Sequence, residues 1–186
     1  MNFIETILVT NKIENLLYHN IRFNTTRAMF FGSEPIDLKD FIELKQNKRV
    51  RVLYNEKILK VEYFDLVPRE FKKLKIVNAD IEYDYKYENR ETLNSLKVEG
   101  YDEVVIIKNG YVTDTTISNL AFFDGKEWFT PNTPLLKGTK RAELLEKGII
   151  KEKEIKLKDI KSYKKIAMMN AILGFYEVGG IESLDF

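Results

Sequence analysis

The chain contains no cysteine and a single histidine. Without cysteine there is no disulfide framework, no thiol nucleophile and no thiolate metal site. The single histidine makes a histidine-based metal cluster or a Ser-His-Asp triad hard to build, and no metal is expected. Charge of one sign is also scarce. Thirty Lys and Arg against 29 Asp and Glu leave a net charge of +1, which gives no electrostatic footprint for nucleic acid or an anionic membrane. No apolar run approaches the roughly 20 residues that span a bilayer. The opening stretch MNFIETILVTNK carries Glu5 and lacks the basic n-region of a signal peptide. Repeats and low-complexity tracts are missing too. What remains is the composition of an ordinary soluble globular protein, 186 residues long and large enough for one or two small domains. A cytoplasmic location is the default expectation.

The most informative stretch is residues 109–125, NGYVTDTTISNLAFFDG. Val104, Val105, Ile106 and Ile107 precede it as a buried strand, and Leu120 to Phe123 follow as a second apolar run. Between them, VTDTTISN packs one acid, four hydroxyls and an amide into eight residues. The hydroxyls alternate with Val112 and Ile117, which predicts an extended, partly buried crossing rather than a two-residue hairpin turn. A buried carboxylate needs a cationic partner. Asp114 therefore asks for a cation, and the hydroxyls and Asn119 ask for a polar ligand; the plain alternative is a polar surface hairpin.

Elsewhere the patterns are more ordinary. Residues 3–10 read as a strand. Residues 13–31 read as a helix, with Ile13, Leu17, Ile21, Ala28 and Phe31 as its apolar stripe and Gly32 as its stop. His19 and Arg22 are three apart and share a face, which by itself means a solvated polar surface. A second helix is expected over 36–46, capped by Asp37. Residues 48–54 (KRVRVLY) alternate as a half-buried strand. Arg49 and Arg51 fall on one face of it, as candidates for a substrate carboxylate or as solvated side chains. In residues 80–90, DIEYDYKYENR, tyrosines alternate with Asp84 and Lys86 in a strand pattern. A lysine among aromatics can lose its proton through desolvation, as imine chemistry requires, or it can be a charged residue on a sheet edge. After Leu135-Leu136-Lys137-Gly138, Thr139 opens a helix that stops at Gly148. A glycine leading into a helix start can hold a phosphate on free backbone N–H groups, although an ordinary capped helix has the same form. Residues 166–169 (IAMM) read as a buried strand ending at Asn170.

Four of these segments, in this order, resemble the class IV aminotransferases, the fold type IV pyridoxal-phosphate enzymes. FIETILVTNKIENLLYHNIRFN resembles the family's entry segment with His-x-x-Arg, and the resemblance makes Arg22 a ligand of the cofactor phosphate. Lys86 matches the position of the Schiff-base lysine. Gly110, Val112, Thr113, Asp114, Thr115, Thr116, Ser118 and Asn119 match the family signature. There Asp114 stands where the family usually has Glu, and pairs with the protonated pyridine nitrogen. Leu135, Leu136, Gly138 and Arg141 match the phosphate-binding helix start, with Thr139 and Lys140 in place of an Ile-Thr pair. Asn170 matches a small polar residue of the phosphate site.

The resemblance implies an α+β fold of two domains: a small N-terminal one (residues 1–78) and a larger, β-barrel-like cofactor-binding one (residues 79–186). It implies that the cofactor lies between them and that the protein is a homodimer. The cofactor is pyridoxal 5'-phosphate and the substrate a small amino compound, with Lys86 as both the covalent anchor and the base. Two reactions are compatible: 4-amino-4-deoxychorismate lyase, favoured by the compact chain, and aminotransfer from branched-chain or D-amino acids to 2-oxoglutarate. A non-catalytic descendant that binds the cofactor is the third reading, against which Lys86 and Asp114 speak.

Overall fold

A computed structural model describes residues 1–186. The chain is mixed α+β, with three sheets and few helices, and divides into two compact units. One comprises Met1–Pro68 and Tyr85–Asn89; the other comprises Arg69–Asp84 and Arg90–Phe186.

The first unit is built on a three-stranded antiparallel sheet: β1 (Phe3–Val9), β2 (Lys48–Tyr54) and β3 (Ile58–Asp65), in that order. Alternation does the work. Val50, Val52 and Tyr54 of β2 point inward, opposite Ile7, Glu5 and Phe3 of β1. Helix α1 (Leu16–Phe31) lies over this face and ends at Gly32, whose φ of 64° is the left-handed cap that glycine adopts at low cost. Two expectations for this helix fail. It begins at Leu16 rather than 13, because Ile13 bridges back to Val9 and Asn15 turns at φ 57°. The inward face is His19, Phe23, Thr26 and Arg27, while Leu17 and Ile21 of the expected stripe are 62% and 55% exposed. The polar members of this face are satisfied internally. Arg27 donates to Glu56 O, Glu34 O and Asn24 Oδ1.

The helix expected over 36–46 is only a 3-10 turn, Leu38–Asp40, although Asp37 does cap it by accepting from the Lys39 N–H. Its backbone is engaged by α1 instead. Asn24 both donates to Ile36 O and accepts from Ile36 N, and Asn20 accepts from Leu38 N. Side chains that bond backbone groups in this way compete with a helical ladder.

Tyr85–Asn89 lies antiparallel along the free edge of β1. The Ile4 N–H donates to Lys86 O at 2.9 Å, the Glu88 N–H to Asn2 O at 3.0 Å, and Phe3 bridges Tyr87. Tyr85 and Tyr87 pack on Phe3, with ring centroids 6.3 and 5.3 Å away. The aromatic alternation seen in the sequence is thus used to dock the lysine-bearing segment on the sheet.

The second unit carries two sheets. Strands β4 (Leu74–Asn78), β5 (Glu103–Lys108) and β6 (Tyr111–Val112) form one, with β12 (Leu184–Asp185) beside β4; a single turn of helix, α2 (Glu91–Asn94), precedes β5. The five-stranded sheet has the order β11 (Gly174–Gly180), β10 (Lys165–Asn170), β7 (Asn119–Phe123), β8 (Trp128–Pro131), β9 (Ile150–Lys153). Helix α3 (Thr139–Glu146) makes the crossover that lets β9 run parallel to β8. The apolar run of β5 is wholly buried, and Val105 and Ile107 share a core with Val112, Leu120, Phe122, Ile166 and Met168. A 3-10 segment, Leu157–Ser162, precedes β10.

Candidate functional site

The first unit holds a buried polar cluster at the centre of its core face. Glu5 is fully buried. It accepts from Arg22 Nε at 2.8 Å, Arg22 Nη2 at 2.6 Å and His19 Nδ1 at 2.6 Å. Burial alone would push the Glu5 carboxyl up. The Arg22 charge and the hydrogen bonds from His19 and Arg22 outweigh it and bring it down to about 2. Burial pushes His19 the other way, toward the neutral form. Glu5 resists this, and the Arg22 and Lys86 charges add to it. Lys86, half-buried on the docked segment, therefore lies within electrostatic reach of this cluster.

Sequence reasoning found His19, Arg22 and Lys86 but passed over Glu5. The signal was there, since Glu5 interrupts Phe3, Ile7 and Val9 on an otherwise apolar strand face. On the opposite face of β2, Arg51 donates to Glu62 at 3.0 Å and Glu88 at 3.4 Å. Arg49 has no acidic partner and stacks on Phe64, 4.5 Å from the ring centroid.

The second unit holds the other cluster, built by the crossing between β6 and β7. This crossing is buried as expected, but it turns tightly instead of staying extended. Thr115 N donates to Ser118 O, and the Thr115 hydroxyl accepts from Ile117 N and Ser118 N while meeting Ser118 Oγ at 2.9 Å. Those two hydroxyls hold the turn itself. Thr116 donates to the buried Glu103, and Arg90 donates to Thr116 O. Asn170 pins the same turn from β10: its Nδ2 donates to Ile117 O at 3.2 Å while its Oδ1 accepts from Ile172 N and Leu173 N.

The turn brings Asp114 opposite Asn119, as an isolated bridge. Asp114 Oδ1 accepts from Asn119 Nδ2 at 2.7 Å, and Oδ2 accepts from Leu136 N at 2.9 Å. The cation that the sequence called for is not in contact, for both donors are neutral. Burial therefore dominates and pushes the Asp114 carboxyl up to about 6, against the pull of Leu136, Asn119 and the Arg141 charge. Arg141 itself is buried. It donates to Pro131 O at 3.0 Å and Glu152 at 2.5 Å, and its Nε has no hydrogen-bond partner.

Asn119 ties this crossing to the loop before α3. Its Nδ2 also donates to Leu136 O at 2.7 Å, and a Cβ placed on Gly138 would come within 2.0 Å of its Oδ1. Only glycine fits there. Gly138 leads directly into α3, whose N-cap makes no side-chain hydrogen bond and whose first turn has no acidic residue, a kind of helix start whose dipole suits an anion. Thr139 is buried at that start, whereas Lys140 turns back to pair with Glu143 at 2.8 Å.

This donor set fits pyridoxal phosphate. A buried carboxylate supported only by neutral donors is suited to a protonated ring nitrogen, and an uncapped helix start is suited to a phosphate.

Comparison with known proteins agrees. The family model for amino-transferase class IV matches residues 2–181. The chain is 36% identical over 182 residues to an uncharacterised protein of Haemophilus influenzae, covering 91% of this chain and 97% of that one. It is similar to the crystal structure of "a putative 4-amino-4-deoxychorismate lyase" from Haemophilus somnus 129pt. That likeness has a TM-score of 0.87 and 33% identity, over 93% of this chain and 97% of that one. The fold is also that of a hypothetical aminotransferase from Mycobacterium tuberculosis in its PLP-bound form, with a TM-score of 0.79 and 16% identity over 99% and 81% of the two chains. The chain belongs to the class IV aminotransferase family and is a pyridoxal-phosphate-dependent enzyme.

Proposed function

We propose that the enzyme is a 4-amino-4-deoxychorismate lyase, converting its substrate to p-aminobenzoate and pyruvate, and that it works in the cytoplasm as a homodimer. The observation that carries this reading is the end-to-end likeness, at 33% identity, to the Haemophilus somnus protein named for that reaction. No helix is long and apolar enough to cross a membrane, in keeping with the proposed location.

Bound pyridoxal phosphate supplies an electron sink for the carbon from which a proton is lost. The chain's residues do the rest. Lys86 would hold the cofactor through its Nζ and would serve as the base that takes the proton from the substrate α-carbon. Its backbone is fixed on β1 through Lys86 O, so the amine works from a rigid support. Asp114 would keep the ring nitrogen protonated. In the first unit Arg22 would hold the phosphate; in the second unit the helix start from Gly138 to Lys140 and the turn held by Thr115, Ser118, Asn119 and Asn170 would support the phosphate and the ring. For the substrate carboxylate, Arg49 is the better of the two candidates, because Glu62 and Glu88 already compensate Arg51.

Purified enzyme loaded with cofactor and given 4-amino-4-deoxychorismate should release p-aminobenzoate and pyruvate in equal amounts. Glutamate formed from 2-oxoglutarate and branched-chain or D-amino acids, without p-aminobenzoate, would make it an aminotransferase instead. Protein that binds the cofactor and does neither would be a non-catalytic descendant.

A further inference from the structure

Strand β1 places a carboxylate where its pattern provides for a hydrocarbon. Phe3, Glu5, Ile7 and Val9 share the inward face and are all fully buried. An isolated carboxylate at such a place would be strongly destabilising. Glu5 is tolerated because α1 brings three donor atoms to it: two from Arg22 and one from His19. The bidentate contact takes the Nε–Nη2 edge of Arg22, which fixes the plane of the guanidinium as well as its place. Nη1 is turned away from Glu5. Glu5 stays ionised across any working pH, and His19 adds a donor without adding charge.

We infer that Glu5 is the positioning residue for Arg22, pre-orienting the guanidinium for a phosphate oxyanion. This rests on the reading above that Arg22 binds the cofactor phosphate. A free arginine side chain gives up rotamer entropy on meeting its ligand, whereas one already clamped has lost it on folding. Position and charge here make opposite demands. An ionised Glu5 repels phosphate and offsets the charge of Arg22. If charge alone mattered, removing Glu5 would tighten phosphate binding; if orientation matters, removing it weakens binding.

The test separates the phosphate's contribution from the rest of the cofactor. Dissociation constants for pyridoxal 5'-phosphate and for pyridoxal are measured by equilibrium dialysis, and the ratio of the pyridoxal constant to the pyridoxal 5'-phosphate constant, which reads the phosphate's contribution, is compared among variants. Glu5→Gln removes the charge. Glu5→Asp keeps the charge but withdraws the clamp by one methylene, and it carries the test alone if Glu5→Gln does not fold. Both should lower the ratio by about tenfold or more, the low end for a charge-assisted hydrogen bond, with pyridoxal affinity unchanged. Glu5→Gln combined with Arg22→Ala should lower it no further than Arg22→Ala alone. A ratio that is unchanged or raised in the Glu5 variants, while Arg22→Ala collapses it, overturns the positioning role and leaves the phosphate reading standing. A ratio unmoved by Arg22→Ala overturns both.

Discussion

The Asn119 amide donates to Asp114 Oδ1 and to Leu136 O, both at 2.7 Å, while its Oδ1 fills the space that a side chain on Gly138 would need. One amide thus couples the buried acid to the loop that starts α3. Gly138→Ala must displace Asn119 and should cost about 1–3 kcal/mol of unfolding free energy, the scale of overpacking. Combined with Asn119→Ala it should cost clearly less than the sum of the single changes, as read from urea unfolding of all three proteins. Strict additivity would show that the two residues do not share this space.

Two of the buried carboxylates, Asp114 and Glu5, should respond to pH with opposite signs. Asp114 is raised from 3.8 to about 6 in the folded state. Its favourable contribution is therefore present in full below pH 3.8 and lost as pH rises to about 6. Relative to Asp114→Asn, the cofactor-free parent should lose up to about 3 kcal/mol across that window and then level off. A difference that is flat between pH 4 and 6 would contradict the burial argument for Asp114.

Glu5 is lowered from 4.5 to about 2. Its contribution is present above pH 4.5 and lost as pH falls toward 2. Acid unfolding of the parent should thus be steeper below pH 4.5 than that of Glu5→Gln, by up to about 3 kcal/mol over the window. Matching acid limbs in the two proteins would mean that the Glu5–Arg22 contact does not hold in solution.

Arg49 and Arg51 occupy the same face of β2 but should differ in effect. Arg49→Ala should raise KM for the amino substrate by about tenfold or more, as expected when a charge-assisted hydrogen bond is lost, with cofactor affinity unchanged. Arg51→Ala should act on stability through Glu62 and Glu88. Equal KM effects, or none for Arg49→Ala, would remove Arg49 from the substrate site.

Much of this architecture is written in local pattern. The four apolar residues of β5 and the placing of α3 between Gly138 and Gly148 follow from hydrophobicity and backbone freedom alone. The face of α1 does not. Leu17 and Ile21 look like core residues and are exposed, while His19 and Arg27 look like surface residues and are buried. The reason is non-local: Glu5 pairs with His19, and the carbonyls of Glu34 and Glu56 receive Arg27. The same holds for the 36–46 segment, where Asn20 and Asn24 of α1 take the backbone groups that a helix would have used. Of the residues proposed for the cofactor, Arg22, Lys86 and Asp114 were visible as motif positions. Glu5, and the close packing of Asn119 against Gly138, needed the partners that only the fold supplies.

The account stands most directly on Lys86. Enzyme saturated with pyridoxal 5'-phosphate, reduced with borohydride, digested and mapped should carry the cofactor on the peptide containing Lys86, and Lys86→Ala should lose both the label and turnover. Cofactor fixed to another lysine, or bound without becoming fixed to Lys86, would contradict it.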